Sequence, residues 1–144
     1  MVSSVENRAF IAIDYGRKRI GLAKSDPMGI IASALMTIEV KSMEQAIEEL
    51  AGVIREYELD ALIVGYPLLA SGDKSRMCEE VDEFIEKLKA IYEGPIHKVD
   101  ESDSSNEAAS IIHAHGKRTG RKKSRVDRLA AVVILQRYLD EVAG

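Results

Sequence analysis

The stretch Phe10-Ile11-Ala12-Ile13-Asp14-Tyr15-Gly16-Arg17-Lys18-Arg19-Ile20-Gly21-Leu22-Ala23-Lys24-Ser25 decides how the chain begins to fold. Phe10 to Ile13 is apolar and ends at the carboxylate Asp14. Tyr15-Gly16-Arg17-Lys18 has the composition of a turn, with Gly16 able to take positive φ, and Ile20 to Ser25 reads as a second strand. Asp26-Pro27-Met28-Gly29 breaks the pattern, and Ile30 to Ile38 reads as a third strand. Three strands joined this tightly predict an antiparallel meander.

Beyond Val40 the period changes. Met43, Ala46, Ile47, Leu50, Ile54 and Tyr57 follow helical spacing behind a Ser42/Gln45 capping-box pair. Ala61 to Val64 is a short apolar run ended by Gly65 and Pro67, a buried strand. Met77, Val81, Phe84, Ile85, Leu88 and Tyr92 mark a second helix that closes at Gly94-Pro95, and Ile96 to Val99 leads to Asp100-Glu101. Ser104 to His115 reads as a short helix. Val126 to Val142 reads as a last one, although Ala130 to Leu135 is continuous enough to suit a buried strand. Strands alternating with helices return parallel, so an α/β fold with a mixed sheet is expected.

The chain has 144 residues, 46% of them hydrophobic and 31% charged, which suits one globular domain over 1–144 and argues against disorder. No apolar run approaches the roughly 20 residues needed to span a bilayer, and the first ten residues lack the pattern of a secretory signal. A cytoplasmic protein is expected. With a single cysteine, Cys78, internal disulfides and multi-thiolate zinc sites are excluded. Cys78 shares a helix face with Val81 and Ile85 and is expected to be a buried apolar residue.

The net charge of -4 hides an asymmetry. Between His113 and Arg128 stand Lys117, Arg118, Arg121, Lys122, Lys123, Arg125 and Arg128 against one anion, Asp127; that is +6, leaving -10 for the rest. Such a block is either a solvated loop or a phosphate-binding patch. Three acidic positions gain interest from the architecture. Asp14 ends the first strand, Asp100-Glu101 ends the last, and Asp127 begins the last helix. Ligands of open α/β sheets bind at the carboxyl ends of parallel strands. Carboxylates gathered there repel one another unless a cation intervenes, and magnesium is held by such oxygens together with water and phosphate. Each position also has an ordinary explanation: a turn start for Asp14, a solvated strand end for Asp100-Glu101, and for Asp127 a capping partner of Ser124.

The segment Asp14 to Asp26 resembles the opening motif of the YqgF/RuvX family, a bacterial group with the RNase H-like fold of Holliday-junction resolvases. The resemblance continues through Val64-Gly65-Tyr66-Pro67-Leu68 with Gly72, Val99-Asp100-Glu101, Glu107-Ala108, and Val126-Asp127-Arg128-Leu129-Ala130-Ala131 with Ile134-Leu135-Gln136. It implies a five-stranded mixed sheet of order 3-2-1-4-5 flanked by helices. It also implies a nuclease site of Asp14, Glu101 and Asp127 that uses a divalent metal, Mg2+ or Mn2+. The implied role is trimming the 5′ end of pre-16S rRNA in ribosome biogenesis, with cleavage of four-way DNA junctions as the alternative. One departure stands out: the family usually has an arginine and an apolar residue directly after the Glu, where this chain has Ser102-Asp103.

Arg17, Lys18 and Arg19 in the first turn, with Lys117, Arg118, Arg121, Lys122 and Lys123, are the expected phosphate contacts, whose affinity falls as salt rises. Without tryptophan and with only 5% aromatic residues, shape and phosphate should dominate over base stacking. Structured RNA or branched DNA is the expected partner, with the ribosome a further one, and the chain acting as a monomer or homodimer. A nucleic-acid-binding module without catalysis is the reading from a different class. Actin-like sugar kinases share the Asp14-Tyr15-Gly16 hairpin but need two lobes. Gly65 to Ser75 lacks the Gly-Lys pair of a P-loop. His113 and His115 read as surface residues.

Overall fold

The structure is a computed structural model that describes residues 9–69, 71–101 and 122–143, with side chains of the last segment described from 128 to 142. Strands β1 (Phe10–Asp14), β2 (Arg19–Ser25) and β3 (Ala32–Glu39) form the expected antiparallel meander. Helix α1 (Met43–Arg55), β4 (Ala61–Tyr66), α2 (Met77–Lys89), β5 (Ile96–Asp100) and α3 (Lys122–Ala143) follow. β4 pairs parallel to β1, and β5 parallel to β4, giving one five-stranded sheet of order β3-β2-β1-β4-β5. That is the mixed sheet expected from the alternation of strands and helices. The expected helix Ser104 to His115 lies outside the described residues, as do the two histidines His113 and His115.

Several boundaries move for identifiable reasons. β3 starts at Ala32 rather than Ile30, because the Asp26 carboxylate accepts hydrogen bonds from the Ile30 and Ile31 amides at 2.7 and 2.9 Å. Those donors are consumed in the turn and cannot join the ladder. Gly16 does not use positive φ; among the described residues that conformation belongs to Gly29 and Gly72. Gly16 is needed because a Cβ there would stand 2.5 Å from the Arg19 carbonyl oxygen. The run Ala130 to Leu135 is helical, and α3 begins at Lys122, four residues before the expected Val126. Ser124 therefore lies within the helix rather than at its N-cap, which removes the capping explanation for Asp127.

Helix α1 opens as its sequence predicts. The Ser42 hydroxyl accepts from the Gln45 amide at 3.1 Å, and the Gln45 side chain accepts from the Ser42 amide at 3.2 Å. Its apolar stripe and that of α2 cover one face of the sheet, packing Leu50, Phe84 and Leu88 against Ile11, Ile13, Leu62 and Val64. Cys78 is buried in this layer, its thiol directed to the Pro67 carbonyl at 3.6 Å. Helix α3 covers the other face, setting Ala131, Ile134, Leu135 and Leu139 on Phe10, Ala12, Ala61 and Ile63. Each fully buried Ile or Leu contributes about 1.5–3 kcal/mol relative to exposure. A sheet covered on both faces explains why β4 is buried along its whole length.

Candidate active site

Side chains alternate across a strand, so the face on which a residue lies follows from its neighbours. Phe10 and Ala12 pack beneath α3, and Asp14 continues that face. Ala61 and Ile63 do the same on β4, and Gly65 continues it; on β5 Val99 packs toward α3, and Glu101 follows. Ile13 is level with Val64, and Gly65 with Val99. Asp14, Gly65 and Glu101 thus gather across three adjacent strands at the carboxyl edge, on the α3 face.

Gly65 makes this arrangement possible. A Cβ on Gly65 would stand 2.9 Å from the Glu101 carboxyl carbon and 2.5 Å from Ile134 Cδ1. The strand between the two acids is bare, and Glu101 leans into the vacant position to hydrogen-bond with Asp14. Its amide is fastened as well, donating to the Tyr66 carbonyl at 3.1 Å. Burial pushes the Glu101 carboxyl above the usual range, the Asp14 hydrogen bond opposes this, the Asp100 charge adds to it, and Arg137 opposes it. Asp100 pairs level with Tyr66, is exposed, and lies on the opposite face. Of the two acids in Asp100-Glu101, alternation brings Glu101 to Asp14.

Asp127 belongs to α3, whose direction fixes its place. Ile134 meets Gly65 at the carboxyl edge, whereas the Tyr138 ring lies 5.5 Å from that of Phe10 at the other end of the sheet. The helix therefore descends from the carboxyl edge, and position 127, seven residues before Ile134, stands about 10 Å further toward that edge. Seven residues are nearly two full turns, so 127 and 134 share one side of the helix. Asp127's side chain lies outside the described set. Among the described residues, no three His, Cys, Asp or Glu side chains come together.

Arg17, Lys18 and Arg19 follow Asp14 along the same edge. Lys18 is exposed in the turn, and Arg19 opens β2 opposite Glu39. Arg17 is engaged by Glu80 of α2: its Nε donates to both carboxylate oxygens, at 2.8 and 3.1 Å, and its Nη2 to one of them. The Tyr15 hydroxyl also donates to Glu80, at 3.4 Å. Nothing local in the sequence signals this tether across 63 positions. Lys117, Arg118 and Arg121 lie outside the described residues; Lys122 and Lys123 form the first turn of α3.

A second polar group borders the edge. The Tyr66 hydroxyl donates to Asp82 at 3.0 Å, Lys98 binds the other Asp82 oxygen at 2.9 Å, and the Lys98 ammonium sits 4.5 Å from the Tyr66 ring centre. Burial, with the Asp82 hydrogen bond and charge, pushes the Tyr66 phenol up to about 12.

Comparison with known proteins bears on the family and the fold. Residues 8–141 match the family model described as RuvX, Holliday junction resolvase. A protein of Syntrophus aciditrophicus named "Putative pre-16S rRNA nuclease" is 37% identical over 133 residues, covering 92% of this chain and 89% of its own length. One of the same name from Ruminiclostridium cellulolyticum is 39% identical over 135 residues, covering 93% and 95%. Among solved structures, Thermus thermophilus RuvC in complex with Holliday junction substrate superposes with a TM-score of 0.58 at 16% identity, covering 96% of this chain and 97% of that one. Fowlpox virus resolvase with junction DNA gives 0.56 at 12% identity, covering 94% and 99%. At such identities these two structures establish the fold, that of the RuvC-like resolvases.

Proposed function

The chain belongs to the RuvX family, described as Holliday junction resolvase, and from that premise we propose a metal-dependent nuclease that hydrolyses phosphodiester bonds. The observation that carries this reading is the hydrogen-bonded pair Asp14 and Glu101 on the carboxyl edge. Two carboxyl groups in one partly buried notch share a proton when nothing else neutralises them. A hard divalent cation fits the same oxygens in its place. Asp14 and Glu101 would hold it, joined by Asp127 from the helix that crosses the edge, with Mg2+ or Mn2+ as the ion. When bound there, the ion supplies Lewis acidity and a lowered pKa for its water.

The remaining work falls to the protein. Gly65 leaves the space in which Glu101 reaches Asp14, which would keep the two acids together at the edge where a cation would bind. Lys18 and Arg19, with Lys122, Lys123 and the cations before them in sequence, would hold backbone phosphates near that pair. The proposed substrate is the 5′ end of pre-16S rRNA, in the cytoplasm, supported by the name its relatives carry. Junction cleavage is the second reading, supported by the family description. No helix among the described residues is long and apolar enough to cross a membrane.

A side-by-side cleavage assay on precursor rRNA and a four-way DNA junction, with Mg2+ and with Asp14→Asn as control, tests the proposal. Cleavage of the precursor by the wild type, lost in the variant, is the expected result. Equal activity in both would remove Asp14 from the site. Preference for the junction would establish the second reading, and salt-sensitive binding without cleavage would identify a non-catalytic module.

A further inference from the structure

Among the described residues β5 lies at the edge of the sheet, paired with β4, and its last residues lead into Glu101. An edge strand draws ladder bonds from one neighbour and leaves backbone groups on its other side to be met from outside the ladder. Helix α3 meets one at the site end: Arg137 Nη1 donates to the Asp100 carbonyl oxygen at 2.9 Å. Arg137 follows Ile134 by one turn, and Ile134 packs into the space above Gly65 that Glu101 also borders. One helix therefore both limits the notch and ties down the peptide that enters it. The Glu101 amide is bound to Tyr66 on the β4 side, so the Asp100-Glu101 peptide is held through both its oxygen and its nitrogen.

We propose that Arg137 is a positioning residue for Glu101: its bond to the Asp100 carbonyl sets the strand exit, and its charge offsets the gathered carboxylates. This rests on the reading of Asp14 and Glu101 as the groups that hold a divalent ion. A guanidinium does this better than an ammonium, because its planar fork is fixed in direction while its charge is permanent. Partners that orient a metal-holding side chain without touching the metal typically contribute about 10–100-fold to affinity or activity.

The test compares wild type, Arg137→Met, Arg137→Lys and Asp14→Asn in three measurements: Mn2+ binding to the metal-free protein by electron paramagnetic resonance, kcat and KM for cleavage, and thermal unfolding. Arg137→Met is expected to weaken Mn2+ binding and lower kcat by about tenfold or more, with KM for the nucleic acid within about twofold, and Arg137→Lys to recover part of both. Mn2+ binding and kcat equal to wild type in Arg137→Met would overturn the proposal. So would a rise in KM alone, which would make Arg137 a substrate contact. If Arg137→Met fails to fold, Arg137→Lys against Arg137→Gln decides on the same readouts. Wild type and Asp14→Asn binding Mn2+ equally would instead overturn the carboxylate site itself, and the role of Arg137 with it.

Discussion

Asp14 and Glu101 share a hydrogen bond across a strand position that carries no side chain. They come from strands separated by β4, and alternation places both acids and Gly65 on the α3 face. A residue of any other kind at 65 would fill the place Glu101 occupies. The pair is thus a property of three strands in register rather than of either acid's own neighbourhood.

Gly65→Ala tests that statement directly. The added methyl must displace either Ile134, which is fully buried, or the Glu101 carboxyl. Overpacking of this kind costs about 1–3 kcal/mol. Thermal or urea unfolding should show that loss, and nuclease activity should fall by about tenfold or more because the pair is pushed apart. A variant with wild-type stability and activity would show that the notch has slack.

The raised pKa of Glu101 predicts how stability depends on pH. A carboxyl whose folded pKa lies above its unfolded value of about 4.3 stabilises the fold fully below that value. The contribution is lost as pH rises through the folded pKa, because the fold must then hold a poorly solvated charge. Glu101→Gln carries no such charge. In metal-free buffer it should unfold at a higher temperature than wild type at pH 7–8, with the difference vanishing near pH 4. Saturating Mg2+ should stabilise wild type and leave the variant unmoved. Parallel pH profiles of the two proteins would contradict the assignment.

Gln136 offers a contrast at the opposite end of the sheet. Its side chain accepts from the Ala32 amide and donates to the Ile30 carbonyl, each at 2.9 Å, clamping the start of β3 to α3. Gln136→Ala should cost about 1–3 kcal/mol of stability by leaving those backbone groups without their partner. Cleavage rates below the melting range should stay within about twofold of wild type, since nothing at the carboxyl edge is touched. A large loss of activity without a loss of stability would tie this corner to the site.

Binding to nucleic acid should be strongly salt-dependent. If Lys122 and Lys123 bind phosphates, replacing both by Ala should reduce the slope of log K against log salt by about two units, roughly one for each lysine removed. Filter binding from low to moderate salt, in the Asp14→Asn background expected to leave the nucleic acid uncut, measures the slope. An unchanged slope would make these two lysines a solvated face of α3. Arg17 stands already paired with Glu80.

Local chemistry determined much of this protein from its sequence alone. The meander is legible because the strands between Phe10 and Ile38 are separated by turn residues, α1 because its capping box and apolar stripe coincide, and the buried Cys78 because its helix face is apolar. Periodicity and turn chemistry act over a few residues, so a few residues reveal them. β3 starts two positions later than its apolar pattern suggests because the Asp26 carboxylate competes for two amides, an effect that composition does not show.

Tertiary structure alone decided the rest. Which of Asp100 and Glu101 meets Asp14 depends on the register of β5 against β4, and a shift of one residue would have exchanged them. The bond from Arg17 to Glu80 spans 63 positions, that from Arg137 to the Asp100 carbonyl 37, and those of Gln136 more than 100. Such bonds exist because helices pack on particular strands at particular heights. That placement is fixed by the burial of whole faces, so no short stretch of sequence contains it.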